Sequence, residues 1–289
     1  MIQHHLRIER FIDKVSRSLY SNYRDPVGLV SDEVRQSHVS LLSGDFADLE
    51  AEVGSGDCYV TPIYLRAAHL HLCLSAFFSP PSLPSYRADL LQLYHATITF
   101  LDVCLGHVRQ SSPKTFSAFS ASYSSSDSFS LIHGTNYIFQ MLLAAGFALM
   151  KLHDGFIQQV GLAADNTEGM LSKTIWALRT MSVQENDLAQ RLAEVLAQVW
   201  KGTRAKASQH NMGQHDPAAS QPHINDSMQL KVRCRLSMSL VFDSVWRWRE
   251  EAQRRGISLE CWFSHFRYCS YCFLVPTFSH SPMFCYHTH

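Results

Sequence analysis

The sequence has no surplus of either charge: lysine plus arginine number 25 and aspartate plus glutamate number 25 over 289 residues. A domain that holds phosphates by itself usually carries a basic field, so this balance argues against autonomous nucleic-acid binding. An apolar secretory leader is also missing. Arg7, Glu9, Arg10, Asp13, Lys14 and Arg17 interrupt the start of the chain, and an intracellular protein is expected. No Gly-x-Ser-x-Gly elbow, Walker-type glycine loop, Gly-x-Gly-x-x-Gly turn or His-Glu-x-x-His pair occurs, so no motif supports an enzyme. Tandem repeats are absent to the eye, and outside 228–240 no period-two apolar run is long enough for a sheet. Cys58, Cys73, Cys104 and Cys234 stand isolated in apolar segments, where reduced cysteine behaves as a small buried hydrophobe; a disulfide framework is not expected.

What remains is a chain that is 46% hydrophobic and 17% charged, enough to bury one large core or two modest ones. Ile8, Phe11, Ile12, Val15 and Leu19 repeat at helical spacing, and Val39, Leu42, Phe46, Leu49 and Val53 do so after the Asp25-Pro26 break. Leu65, His69, Leu72 and Ala76 mark a third helix that begins near Pro62 and ends at Ser79-Pro80-Pro81. A longer stripe runs through Leu90, Leu91, Tyr94, Thr97, Ile98, Leu101, Leu105 and Val108. Residues 111–130 are dominated by serine and are expected to form a surface loop. The segment 137–150, YIFQMLLAAGFALM, is apolar all round. It is shorter than the roughly 20 residues a bilayer requires, so it reads as a buried central helix. Ser182 and Glu185 have the spacing of a capping box, and Leu188, Leu192, Val195, Leu196 and Val199 carry the following helix to Gly202. Residues 202–226 then read as a polar linker. Between Met228 and Leu240 the apolar residues alternate strictly, the pattern of a strand, but the residue types are helix formers and helix is the expectation. The fold class expected is all-α: a multi-helix bundle over 1–253 with long polar loops, followed by an irregular tail over 254–289.

Four constellations bear on chemistry. Asn186, Gln190 and Glu194 share one helix face at the spacing of a magnesium triad in terpene cyclases, but the middle position lacks a hydroxyl. Asp45, Asp48 and Glu50 do not form the paired carboxylates such a site requires, and a hard cation needs more oxygen ligands than this; an acidic helix start is the simpler reading. His69 and His71, two apart on one helix, must point to different faces. Cys269-x-x-Cys272 with Cys285, His287 and His289 supplies zinc-type ligands. The surrounding aromatic segment, without an acidic residue after Glu260, reads instead as an atypical C-terminus of the kind an intron or a shifted frame produces. Arg233, Arg235, Arg247, Arg249, Arg254 and Arg255 gather around Trp246 and Trp248. Stacking on bases would use such residues, but Glu250 and Glu251 follow, and a solvated helix face explains the pattern more simply.

Six blocks, LLSGDFADLEAEV (41–53), YLRAAHLHLCLSAFF (64–78), YHATITFLDVCLGHV (94–108), GTNYIFQMLLAAGFALMKL (134–152), SVQENDLAQRLAEVLAQVW (182–200) and RLSMSLVFDSVWRWREE (235–251), occur in an order that resembles the regulatory, or middle homology, region of fungal binuclear zinc-cluster transcription factors. The likeness rests on that order and on the pairings Asn186-Asp187 with Arg191, and Phe242-Asp243 with Trp246 and Trp248. The resemblance implies a nuclear regulator of RNA polymerase II transcription. In such proteins an N-terminal zinc cluster binds DNA, usually as a dimer, and a helical region modulates activity and sometimes senses a metabolite. The six-cysteine cluster has no counterpart here, so no zinc ligand or DNA contact transfers to this chain and no cofactor is expected in it. A truncated product is expected, starting inside the regulatory region. Its partners would be the transcription machinery or a related full-length regulator, with a small-molecule effector and no membrane. His69, His71 and Asn136 are the polar residues expected to line an effector cavity beside 137–150. Two alternatives stand: a degenerate all-α isoprenoid synthase-like enzyme, and a nonfunctional gene fragment.

Overall fold

Every described residue of the computed structural model lies in a helix, a turn or irregular chain, with no strand; these are 2–20, 30–53, 60–110, 131, 134–157, 164–210, 228–231, 233, 238–254 and 256. The helices are α1 (Ile2–Val15), α2 (Asp32–Val53), α3 (Val60–Cys73), α4 (Tyr86–Gln110), α5 (Asn136–Leu152), α6 (Ala164–Thr180), α7 (Leu188–His210) and α8 (Ser239–Arg254). Short wide turns extend α1 over Ser16–Tyr20 and α5 over His153–Ile157, and a tight 3-10 segment extends α3 over Leu74–Phe78. The all-α class is therefore observed. Two compact units divide the chain, Met1–Ser244 and Val245–His289. Of the second, the C-terminal part of α8 and Gly256 are described. Gly256 has φ +70° and donates its N–H to the Gln253 carbonyl at 3.0 Å, the left-handed glycine that commonly closes a helix.

The organising element of the first unit is α5, whose segment 137–150 is the one expected at the centre. It packs against α3, α4, α6 and α7, and Ile138, Leu142, Leu143, Phe147, Leu149 and Leu152 are fully buried. Each large side chain so buried contributes roughly 1.5–3 kcal/mol. Close approach depends on Gly146, where an added Cβ would lie 2.7 Å from Leu196 Cδ2 on α7 and 3.4 Å from Thr174 Cγ2 on α6. Around this hub α3 is buried nearly all round, while α1 and α2 bury single stripes, Ile8, Phe11, Ile12 and Val15 on one and Leu42, Phe46, Leu49 and Val53 on the other. Those are the stripes that the periodicity picks out. Among the described residues no helix is long and apolar enough to cross a membrane. Cys73 and Cys104 are free and buried, as isolated cysteines in apolar segments should be; burial pushes the Cys73 thiol up to about 12.

Three local expectations fail. Helix α7 starts at Leu188, not behind Ser182. The Ser182 hydroxyl donates to the Gln184 carbonyl at 2.9 Å, while Asp187 takes the capping role and accepts the Gln190 N–H at 3.0 Å and the Val183 N–H at 2.7 Å. Gln190 Oε1 in turn accepts the Asn186 N–H at 2.8 Å. Asn186 sits at φ +59°, a left-handed conformation that asparagine tolerates, and this turn moves the reciprocal cap five residues downstream. Partial burial opposes ionisation of Asp187, but the N–H groups of Gln190, Val183 and Gln184 and the Ser182 hydroxyl outweigh it and hold the carboxyl below its usual range. Replacing Asp187 by alanine is expected to cost about 1 kcal/mol in urea denaturation, and Glu185→Ala less than about 0.5 kcal/mol; the reverse ranking would restore the upstream cap.

The second correction concerns Gly202, which does not end α7. The helix continues to His210, so the proposed linker 202–226 begins inside it; one glycine costs a helix only about 1 kcal/mol. Third, helix does not extend over 228–240. Residues 228–231 form turns and irregular chain, and α8 begins at Ser239. The serine-rich stretch 111–130 and all but two residues of the tail 254–289 lie outside the described residues.

Candidate functional site

Helix α3 places its polar residues on two faces, and each face builds a different environment. Tyr64 and His71, seven residues apart, point inward toward α5. The His71 Nε2 lies 3.2 Å from the Ser16 hydroxyl, the Tyr20 hydroxyl donates to the His71 carbonyl at 2.7 Å, and the Tyr64 hydroxyl donates to Thr135 Oγ1 at 2.8 Å. Tyr137 closes the cluster from α5, its ring centroid 6.3 Å from His71 and 6.4 Å from Tyr64. The His71 Nδ1 and the Tyr137 hydroxyl are buried without a hydrogen-bond partner. Burial holds the His71 imidazolium pKa down at about 4 and pushes the Tyr137 phenol well up, so both stay neutral near pH 7.

The other face of α3 carries Arg66 and His69, three residues apart. His69 stacks on Phe46 of α2 with centroids 4.4 Å apart and planes 10° from parallel. Burial lowers its pKa, Arg66 lowers it further and Glu50 opposes. Arg66 pairs with Glu50 at 2.6 Å. These two α3 residues and Ala88, Leu91, Gln92, His95, Ala96 and Thr99 of α4 line a groove of about 380 Å³, within the size range of small-molecule sites.

His69 and His71 thus diverge, as their spacing requires. The expected shared cavity beside 137–150 does not bring them together, and Asn136, exposed at the start of α5, lines neither environment. Asn186, Gln190 and Glu194 do not converge either. The first two belong to the α7 cap, and Glu194 pairs with Arg179 of α6 at 2.5 Å. Asp45 pairs with Lys14 at 2.5 Å. Among the described residues no group of three histidine, cysteine, aspartate or glutamate side chains could hold a metal ion. Cys269, Cys272, Cys285, His287 and His289 lie outside the described residues, as do Arg235 and Arg255.

Two buried charges were not singled out in the sequence for their roles. Arg35, 2% exposed, donates to Asp32 at 2.6 Å, to the Val30 carbonyl at 2.5 Å and to the Phe78 carbonyl at 3.3 Å, joining the start of α2 to the turn after α3. Asp243, fully buried near the start of α8, accepts the Lys231 N–H at 2.6 Å and lies 3.4 Å from Lys151 Nζ at the end of α5. Arg233 donates to the Leu230 carbonyl at 2.9 Å. Its pKa is lowered, by burial first and by Arg35, against Asp32 and Asp243. Arg254 pairs with Glu251 at 2.8 Å, and Arg247 and Arg249 also have partners. Comparison with family models, with curated proteins and with solved structures gives no match to this chain.

Proposed function

We propose that this chain is a regulatory module of the fungal binuclear zinc-cluster transcription-factor type, acting in the nucleus on RNA polymerase II transcription. DNA recognition is assigned to another polypeptide or segment, because the sequence contains no six-cysteine cluster of that kind. The observation that carries this reading is the ordered set of resembling blocks. They fall on α2, α3, α4, α5, α7 and α8, and the first five of these helices belong wholly to the unit built around α5. Within the blocks the distinguishing aspartates hold architecture: Asp187 caps α7 and Asp243 moors the start of α8. A module of this sort controls output by changing between packings of its helices, and a ligand or partner biases them only through unequal affinity for the two.

Fusing the full chain to an unrelated DNA-binding domain and measuring a reporter gene tests the proposal. A severalfold change in transcription, up or down, that Phe147→Ala abolishes is expected. A reporter indifferent to the fused chain would remove the transcriptional reading.

A further inference from the structure

We propose that the α3–α4 groove binds a small organic carboxylate with an apolar, ring-sized body; such a ligand would be the effector of the module proposed above. Its lining contains one formal cation, Arg66, and no carboxylate. Ala88, Leu91 and Ala96 supply the apolar part of the lining, where a ligand body loses its contact with water. The guanidinium offers five N–H donors in a fork that matches a carboxylate, and Glu50 takes Nη1. Arg66 and Glu50 are 29% and 40% exposed, so their pair is of the weak kind that an incoming carboxylate can share or displace. His69, fixed against Phe46, borders the same space. To an uncharged ligand of equal shape Gln92, His95 and Thr99 of the same lining offer neutral hydrogen bonds, which are weaker than a charge-assisted one.

Titration calorimetry of the full chain with benzoate, and with benzamide as its uncharged counterpart, tests this. Benzoate is expected to bind saturably and benzamide about tenfold more weakly, as the loss of a charge-assisted hydrogen bond implies. Arg66→Gln should weaken benzoate about tenfold, whereas Glu50→Gln, which frees the guanidinium and removes a repelling charge, should strengthen it. Both variants break the same ion pair, so a purely structural effect would move them in one direction. Absence of saturable benzoate binding, or changes of the same sign in both variants, overturns the site. Opposite signs together with a reporter that ignores benzoate support the site and count against the transcriptional reading instead.

Discussion

Lowering the pH from about 7 to about 4 is expected to remove about 3 kcal/mol of stability through His71 alone. In the folded chain its imidazole sits among Ser16, Tyr20 and Tyr137 and burial depresses its pKa from 6.5 to about 4. In the unfolded chain it protonates near the ordinary value. The unfolded state therefore binds the proton first, and stability is complete above about pH 6.5 and falls by ~1.4 kcal/mol per pH unit until the folded-state value is reached. Other groups titrate over this range, so the comparison to make is with His71→Gln by urea denaturation at both pH values. The variant should lose about 3 kcal/mol less than the parent between them. Equal losses would show that His71 is solvated enough to titrate normally in the folded chain.

A comparable effect is expected from Lys151→Met. Asp243 is fully buried, and the Lys151 ammonium lies 3.4 Å from it at the end of α5. Removing the ammonium takes away one of the cations that face this buried carboxylate, Arg233 being another, and the cost is at most the roughly 3–5 kcal/mol of breaking a buried ion pair. The methionine keeps most of the aliphatic stem, so little of that loss comes from packing. Adding Asp243→Leu should recover about half of the stability or more, because two apolar side chains need no desolvated charge between them. The Lys231 N–H, which Asp243 accepts at 2.6 Å, loses its acceptor in the double variant, so full recovery is not expected. A Lys151→Met chain with unchanged denaturation midpoint and slope would mean that the pair is solvated.

Much of the fold was legible because burial leaves a periodic trace. The stripes of α1 and α2, the boundary of α3 at Ser79-Pro80-Pro81 and the all-apolar α5 each follow from side chains that must leave water on one face or on all. Helix ends were less legible. The serine-to-glutamate spacing at 182–185 satisfied a local rule, but a left-handed Asn186 delivered Asp187 and Gln190 to the same job. From Met228 to Leu240 the helix-forming residue types misled in a different way. There Met228 and Leu230 are buried from turns and irregular chain.

For the site, intervals within α3 were readable: seven residues place Tyr64 with His71, and three place Arg66 with His69. Which residues meet them was not, since Ser16, Tyr137, Glu50 and His95 come from other helices.

The amino-acid order by itself determined the helical class, the central place of 137–150 and the divergence of His69 from His71, because each depends on local periodicity. Only tertiary packing decided that a lone imidazole would be buried beside Tyr137, that Asp243 would meet Lys151 across 92 positions of chain, and that Arg66 would border an open groove. Those outcomes depend on which helix faces which, and that is set by the summed burial of many side chains rather than by any interval along one helix.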